Sequence, residues 1–264
     1  MNQSKPKFRD RAQQMIYVVI HPLVKFLIKL GLTPNAVTLI GLVLNILVTA
    51  IFIEGAEKGN RGELSYIGWA GAMVLFAGVF DMLDGQVARL GKMSSSFGAL
   101  FDMLDGQVAR LGNMSTKFGA FFDSVLDRYS ELVLFLGICY YLISHHYFYS
   151  SLFAFVAMIG SLMVSYTRAR AEGLGVECKE GLMQRPERVI TIGVTAIACG
   201  ITAYFIGGDY KVYLPGTNLQ VFETISVFTI PLTIMAILTN YTAFKRLIDA
   251  KVALDLKDKQ QQDA

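Results

Sequence analysis

Charge is what this 264-residue sequence has least of: Asp, Glu, Lys and Arg make up 17% of it, against 53% hydrophobic residues. Soluble domains carry roughly 25% charged residues, and a mean hydropathy of +0.46 marks a membrane protein instead. The net charge is only +3, and no Lys/Arg cluster with interleaved aromatics occurs, so a nucleic-acid partner is excluded. Cysteine is scarce as well. Cys139, Cys178 and Cys199 form no close pair and no metal-ligand spacing, which excludes a disulfide framework and a zinc site and leaves them as apolar filler. The histidines His21, His145 and His146 make no nucleophile or metal set and read as interfacial residues. The opening stretch, MNQSKPKFRDRAQQ, lacks the apolar core and small-residue cleavage site of a signal peptide, so the spans themselves must do the targeting.

What is present is a set of apolar blocks long enough to cross a bilayer, about 20 residues each as helix. They fall at 36–53, 64–83, 121–143, 148–166, 189–206 and 221–244. The expected fold is all-α: one polytopic membrane domain over residues 1–264, with six transmembrane helices. The stretch RAQQMIYVVIHPLVKFLIKLG within 1–35 mixes apolar residues with Lys25 and Lys29 at helical spacing and reads as an amphipathic helix lying along the membrane surface. Thr33 and Pro34 then suit the cap and first position of the first span. Residues 245–264 read as a solvated polar tail.

Lys and Arg alternate between the connections. Residues 1–35, 84–118, 168–188 and 245–264 carry six, four, five and five, whereas the intervening connections carry two, none and one. By the positive-inside rule both termini and the 84–118 connection are expected in the cytoplasm, with the chain in the cell (inner) membrane.

The most informative stretch is FDMLDGQVARLGNMSTKFGAFFDSVLDRYSE. Asp102 and Asp105 are three apart and Asp123 and Asp127 four apart, so each pair shares a helix face. Four carboxylates at the ends of membrane helices repel one another, and a hard divalent cation relieves that repulsion. Gly106, Ala109 and Gly119 offer small surfaces where a ligand or a neighbouring backbone can come close.

Asp102, Asp105, Gly106, Ala109, Arg110, Gly119, Asp123 and Asp127 reproduce without a gap the pattern D-x2-D-G-x2-A-R-x8-G-x3-D-x3-D, and on it the chain resembles the CDP-alcohol phosphotransferases. LTPNAVT before the first span and SYTRARAEG after the fourth resemble the same family. The resemblance implies transfer of a phosphatidyl group from CDP-diacylglycerol to an alcohol, releasing CMP, as a step of phospholipid biosynthesis in the bilayer. It implies two Mg²⁺ (or Mn²⁺) ions on Asp102, Asp105, Asp123 and Asp127, with Asp127 also the general base. It further implies a nucleotide site bordered by Gly106, Ala109, Arg110 and Gly119, and a homodimer.

The motif's first half occurs twice. Residues 80–100 and 101–121 differ at only four of 21 positions, so a tandem duplication covers 81–121. In copy one, Asp81, Asp84, Gly85, Ala88 and Arg89 stand where copy two has Asp102, Asp105, Gly106, Ala109 and Arg110, but Gly106 takes the place of the fourth acid. Copy two is therefore the intact motif by sequence. By topology the apolar run that ends at Asp81 can serve as the second span, whereas the segment before Asp102 holds Asp84, Arg89 and Lys92 and cannot. The expected site is a hybrid: Asp81 and Asp84 with Asp123 and Asp127, and residues 90–111 extruded. The rival site uses Asp102, Asp105, Asp123 and Asp127, and a third possibility is that the insertion abolishes the site.

Arg168, Arg170, Arg185 and Arg188 bracket the cytoplasmic connection at 168–188, and Arg forks bind phosphate bidentately. An anionic acceptor follows. SYTRARAEG most resembles the branch that makes phosphatidylinositol phosphate, with glycerol 3-phosphate, the acceptor of phosphatidylglycerophosphate synthases, as the alternative. A cation transporter is the competing class, but its acids belong near the bilayer midplane within repeated spans. An aspartate-rich prenyltransferase fits the D-G-x2-A-R core poorly.

Overall fold

The structure, a computed structural model, describes residues 34–90, 117–177, 181–213, 216 and 220–262, with backbone alone for 34, 82, 84–90, 117 and 261–262. Six long helices follow one another: α1 Pro34–Lys58, α2 Ser65–Leu90, α3 Lys117–Ser144, α4 Phe148–Gly173, α5 Arg185–Ile206 and α6 Ser226–Gln262. Pro34 opens α1, where its missing N–H costs nothing and its fixed φ suits a first helical turn. The expected interfacial helix in 1–35 lies outside the described residues but for its last two positions.

Among the described residues four helices are, by length and composition, able to cross a membrane: Asn35–Lys58, Phe148–Gly173, Arg185–Ile206 and Ser226–Gln260. The other two carry the acids. The apolar part of α2 is the shorter Ser65–Asp81, and α3 holds Asp123, Asp127, Arg128 and Glu131 before its apolar second half. The helical expectation is met by every long element, and the chain is a mainly α-helical membrane protein.

Two features depart from the sequence reading. The connection after α5 contains a two-stranded antiparallel pair, β1 Lys211–Tyr213 and β2 Gln220–Glu223, with Val212 opposite Phe222. Residues 221–223 therefore belong to a strand, and the last span starts at Ser226. The polar tail also continues α6 to Gln262, because Ala250, Ala253 and Leu254 pack on Ala171 and Val176 and Lys257 Nζ donates to the Gly175 carbonyl at 2.5 Å.

The chain divides into two compact units, Met1–Leu42 with Val79–Asp127 and Val43–Gly78 with Arg128–Ala264. Among the first unit's described residues Ala36, Val37, Thr38 and Leu83 are buried. The second unit holds the main core, where Phe52, Ile67, Phe135, Ile138, Ala196 and Met235 meet from five helices. Cys199 fills part of that core, as its apolar character predicts, and Cys178 lies outside the described residues. Small residues set the helix spacing. A Cβ on Gly200 would stand 2.7 Å from the Gly68 Cα, and one on Gly71 would stand 2.6 Å from the Ala196 Cβ, so α2 and α5 touch backbone to backbone.

Exposed aromatics stand near both ends of α4, Tyr149 in its first turn and Tyr166 two turns before its end. Along α4, Tyr149 and Tyr166 are separated by about 25 Å at 1.5 Å per residue, close to the hydrocarbon thickness of a bilayer.

Beyond the helix ends, Glu223 ties three connections together. It accepts from Tyr147 Oη at 2.8 Å and Gln220 Nε2 at 2.9 Å, and it pairs with Arg61 at 3.4 Å. The Arg61 guanidinium also lies 4.6 Å over the Tyr147 ring. Burial pushes the Tyr147 phenol well above its usual range, so it remains a donor to Glu223. His145 is buried, with Nε2 3.1 Å from the Gly55 carbonyl oxygen, so it joins α1 to the end of α3 instead of facing an interface.

Replacing Gly200 with Leu is expected to force α2 and α5 apart and cost about 1–3 kcal/mol, read as a lower thermal transition of the detergent-solubilised protein. Gly41→Ala, which meets nothing within 4 Å, should be neutral or stabilising by about 0.5–1 kcal/mol.

Candidate active site

Helix α2 runs without a break from Ser65 to Leu90, so copy one of the repeat is helical throughout its D-M-L-D-G-Q-V-A-R-L phrase. Asp81 and Asp84 stand three apart on it, followed by Gly85, Ala88 and Arg89. Asp81 is half-buried. Copy two's first half, with Asp102, Asp105, Gly106, Ala109 and Arg110, lies outside the described residues.

The end of the motif opens α3. Gly119 sits in its first turn, and Asp123 and Asp127 follow at four-residue intervals on one side of the helix, all three half-buried. Phe118 and Phe122 stack at 6.0 Å between ring centroids beside them. These all-carboxylate donors suit a hard divalent cation. Among the described residues, though, no three Asp, Glu, His or Cys side chains converge into a metal-holding group. The Asp84 side chain is not among those described.

The four arginines expected at the acceptor are not equivalent. Arg168 and Arg170 are exposed in the last turns of α4, where positive charge complements the helix dipole, and Arg168 Nε donates to Glu172 Oε1 at 2.9 Å. Arg185 is half-buried at the start of α5, whose first turn is closed by the Gln184 N–H donating to Glu187 Oε2 at 2.9 Å. Arg188 is different again. It is 1% exposed and pairs with Glu131 of α3, which is 8% exposed, through Nε at 2.8 Å and Nη2 at 2.7 Å, while Nη1 donates to the Met183 carbonyl at 2.9 Å.

Two participants escaped the sequence reading. Glu131 follows Asp127 by four residues, a spacing that continues the acidic side of α3 and could have flagged it. Arg246 of α6 is 4% exposed, with Nη1 donating to the Val164 carbonyl at 2.6 Å, and a Cβ on Gly181 would stand 3.3 Å from its Nη2. Gly181 has φ +148°, a conformation that favours glycine, and Thr242 Oγ1 fixes the next residue by donating to the Leu182 carbonyl at 3.0 Å. Nothing local marks Arg246, which reads as one more basic residue after a span.

A family model described as CDP-alcohol phosphatidyltransferase matches residues 31–102 and again 97–235. The first match contains all of copy one and the second all of copy two. A phosphatidylinositol phosphate synthase of Corynebacterium glutamicum is 32% identical over 187 residues, 70% of each chain. One of Mycobacteroides abscessus is 28% identical over 244 residues, 92% of this chain and 94% of that one. An archaetidylinositol phosphate synthase of Methanothermobacter thermautotrophicus is 38% identical over 153 residues, covering 58% of this chain and 65% of its own. The fold is shared with the crystal structure of Mycobacterium tuberculosis phosphatidylinositol phosphate synthase with CDP-DAG bound. The TM-score is 0.59 at 24% identity, over 87% of this chain and 92% of that one. The same enzyme in complex with manganese and citrate gives a TM-score of 0.58 at 23% identity over 87% of each chain. The chain belongs to the CDP-alcohol phosphatidyltransferase family.

Proposed function

We propose that the chain transfers a phosphatidyl group from CDP-diacylglycerol to the hydroxyl of inositol phosphate, releasing CMP. The observation that carries this reading is the gap-free eight-position pattern from Asp102 to Asp127. Curated relatives named for phosphatidylinositol phosphate synthesis at 28–32% identity support the acceptor.

The reading takes Asp81, Asp84, Asp123 and Asp127 as the ligands of two divalent ions, Mg²⁺ or Mn²⁺. A neighbour in fold is described in complex with manganese, which favours a divalent ion. When bound, the ions neutralise the diphosphate and the departing CMP. Gly85, Ala88, Arg89 and Gly119 border the nucleotide. Asp127 accepts the proton of the acceptor hydroxyl as its oxygen attacks the lipid-bearing phosphorus and the bond to CMP breaks. Arg168, Arg170, Arg185 and Arg188 supply positive charge for the acceptor's phosphate. Six spans, a single catalytic domain, a homodimer and a cytoplasmic site in the cell membrane complete the proposal.

Taking the first two acids from copy one is supported by the continuity of α2, which carries Asp81 and Asp84 directly out of an apolar run. The third and fourth acids come from copy two because only that copy continues into G-x3-D-x3-D. The repeat thus lengthens the connection between the two halves of one site.

Purified protein given CDP-diacylglycerol and Mg²⁺ is expected to release CMP with inositol 1-phosphate, to release little with glycerol 3-phosphate, and to stop on chelation of the metal. Release with glycerol 3-phosphate alone would replace the acceptor assignment. In the same assay Asp81→Asn and Asp123→Asn should each lower kcat by about a hundredfold or more, whereas Asp102→Asn should stay within about threefold. An inactive Asp102→Asn beside an active Asp81→Asn would move the site to copy two.

A further inference from the structure

Arg246 stands where α6 leaves its apolar stretch, yet it is 4% exposed, and an arginine is rarely buried this far unless its donors are used. Its atoms face the connection between α4 and α5 from below. Nη1 donates to the Val164 carbonyl of α4 at 2.6 Å, one turn before Arg168. On the other side a Cβ built on Gly181 would stand 3.3 Å from Nη2 and 3.4 Å from Nε, so the Gly181 backbone lies against the guanidinium. Thr242, four residues earlier on the same side of α6, completes the contact. Its Oγ1 donates to the Leu182 carbonyl at 3.0 Å, and its Cγ2 would meet a Gly181 Cβ at 2.5 Å.

The bend that these two side chains hold is irregular. Gly181 has φ +148° and Met183 has φ +56°, a region that residues with a side chain seldom occupy and keep only where their surroundings impose it. Neighbouring carbonyls of the bend are bonded to different helices. That of Leu182 accepts from Thr242 of α6, and that of Met183 accepts from Arg188 Nη1 of α5 at 2.9 Å. The bend therefore links α6 to the first turn of α5, where Arg185 and Arg188 stand. Further out, Lys257 Nζ donates to the Gly175 carbonyl just past the end of α4, so α6 meets this connection at both of its ends. All of these residues belong to the second compact unit.

We propose that Arg246 and Thr242 are positioning residues for acceptor recognition: by holding the bend at Gly181–Met183 they set where Arg185 and Arg188 present their charge, without touching the acceptor themselves. The inference rests on the functional reading above, because that reading gives those two arginines the acceptor's phosphate.

The test is steady-state CMP release from CDP-diacylglycerol and inositol 1-phosphate by wild type, Thr242→Val, Gly181→Ala, Arg246→Met and the double variant Thr242→Val/Arg246→Met. Thr242→Val removes one hydroxyl and Gly181→Ala adds one methyl, so both disturb the bend while every charge stays in place. Each single variant is expected to raise the acceptor KM by about tenfold, with kcat at saturating acceptor and the KM for CDP-diacylglycerol within about threefold of wild type. The double variant should stay within about threefold of Arg246→Met, because both changes act through the same bend, whereas independent sites would multiply. Should Arg246→Met not fold, Thr242→Val and Gly181→Ala carry the test.

Three results would overturn the assignment. A raised acceptor KM in Arg246→Met alone, with Thr242→Val and Gly181→Ala unchanged, makes Arg246 a direct ligand of the acceptor. A lowered thermal transition with unchanged acceptor KM in all three makes the contacts merely structural. A fall in kcat at unchanged acceptor KM places the bend's effect on the chemical step instead of on acceptor binding. Wild-type release separates the two layers: its absence removes the reaction and this assignment with it, whereas a contrary variant pattern beside an active wild type removes only the role of Arg246 and Thr242.

Discussion

Carboxylates carried on membrane helices are the constraint around which this chain is arranged. An acid at the centre of a spanning helix costs about 2.5–3.5 kcal/mol on insertion scales, so a helix that bears several must confine them to one end. Both acid-bearing helices do so. In α2 the apolar stretch Ser65–Asp81 comes first and Asp84 follows it, whereas in α3 Asp123, Asp127 and Glu131 come first and an uncharged apolar run follows. The remaining four helices carry enough apolar length to span without such help.

Where the helices meet, small residues bring their backbones close. Where α2 meets α5, glycines at 68, 71, 193 and 200 remove the side chains that would hold the backbones apart. Where α4 meets α6, Gly160 leaves room for Thr239 and Asn240, and Asn240 Nδ2 donates across to the Val156 carbonyl at 3.0 Å. Two buried carboxylates of the second unit are paired with arginines. Glu223 gathers Tyr147, Gln220 and Arg61 from three connections, and Glu131 takes Arg188. These two knots differ in what they hold. The first clips connections together beyond the helix ends, and the second joins the middle of α3 to the first turn of α5.

Much of this was legible in the sequence because it is written locally. Fixed spacing identified the motif, apolar block length located the helices, and Pro34 marked where the first begins. Other features depend on distant partners. The strands KVY and QVFE are too short for alternation to register, and their pairing across a Gly-rich turn is tertiary information. The tail read as polar, yet Ala, Leu, Lys and Gln are strong helix formers, and a thin apolar side of Ala250, Ala253 and Leu254 finds Ala171 and Val176. Arg188 was read by the charge of its neighbourhood; that it is buried against a carboxylate 57 positions away has no local signal. The repeat is the sharpest case. Twelve identical letters say nothing about which copy is used, whereas an unbroken α2 joins Asp81 and Asp84 to an apolar stretch and gives a physical reason to prefer them.

The most direct test of the account is the fate of an ¹⁸O label placed in the acceptor hydroxyl of inositol 1-phosphate, followed by mass spectrometry of the products formed from CDP-diacylglycerol. Direct attack on the lipid-bearing phosphorus predicts that the label appears wholly in a new inositol phospholipid and that CMP is unlabelled. Labelled CMP, or consumption of the donor without an inositol phospholipid, would contradict it.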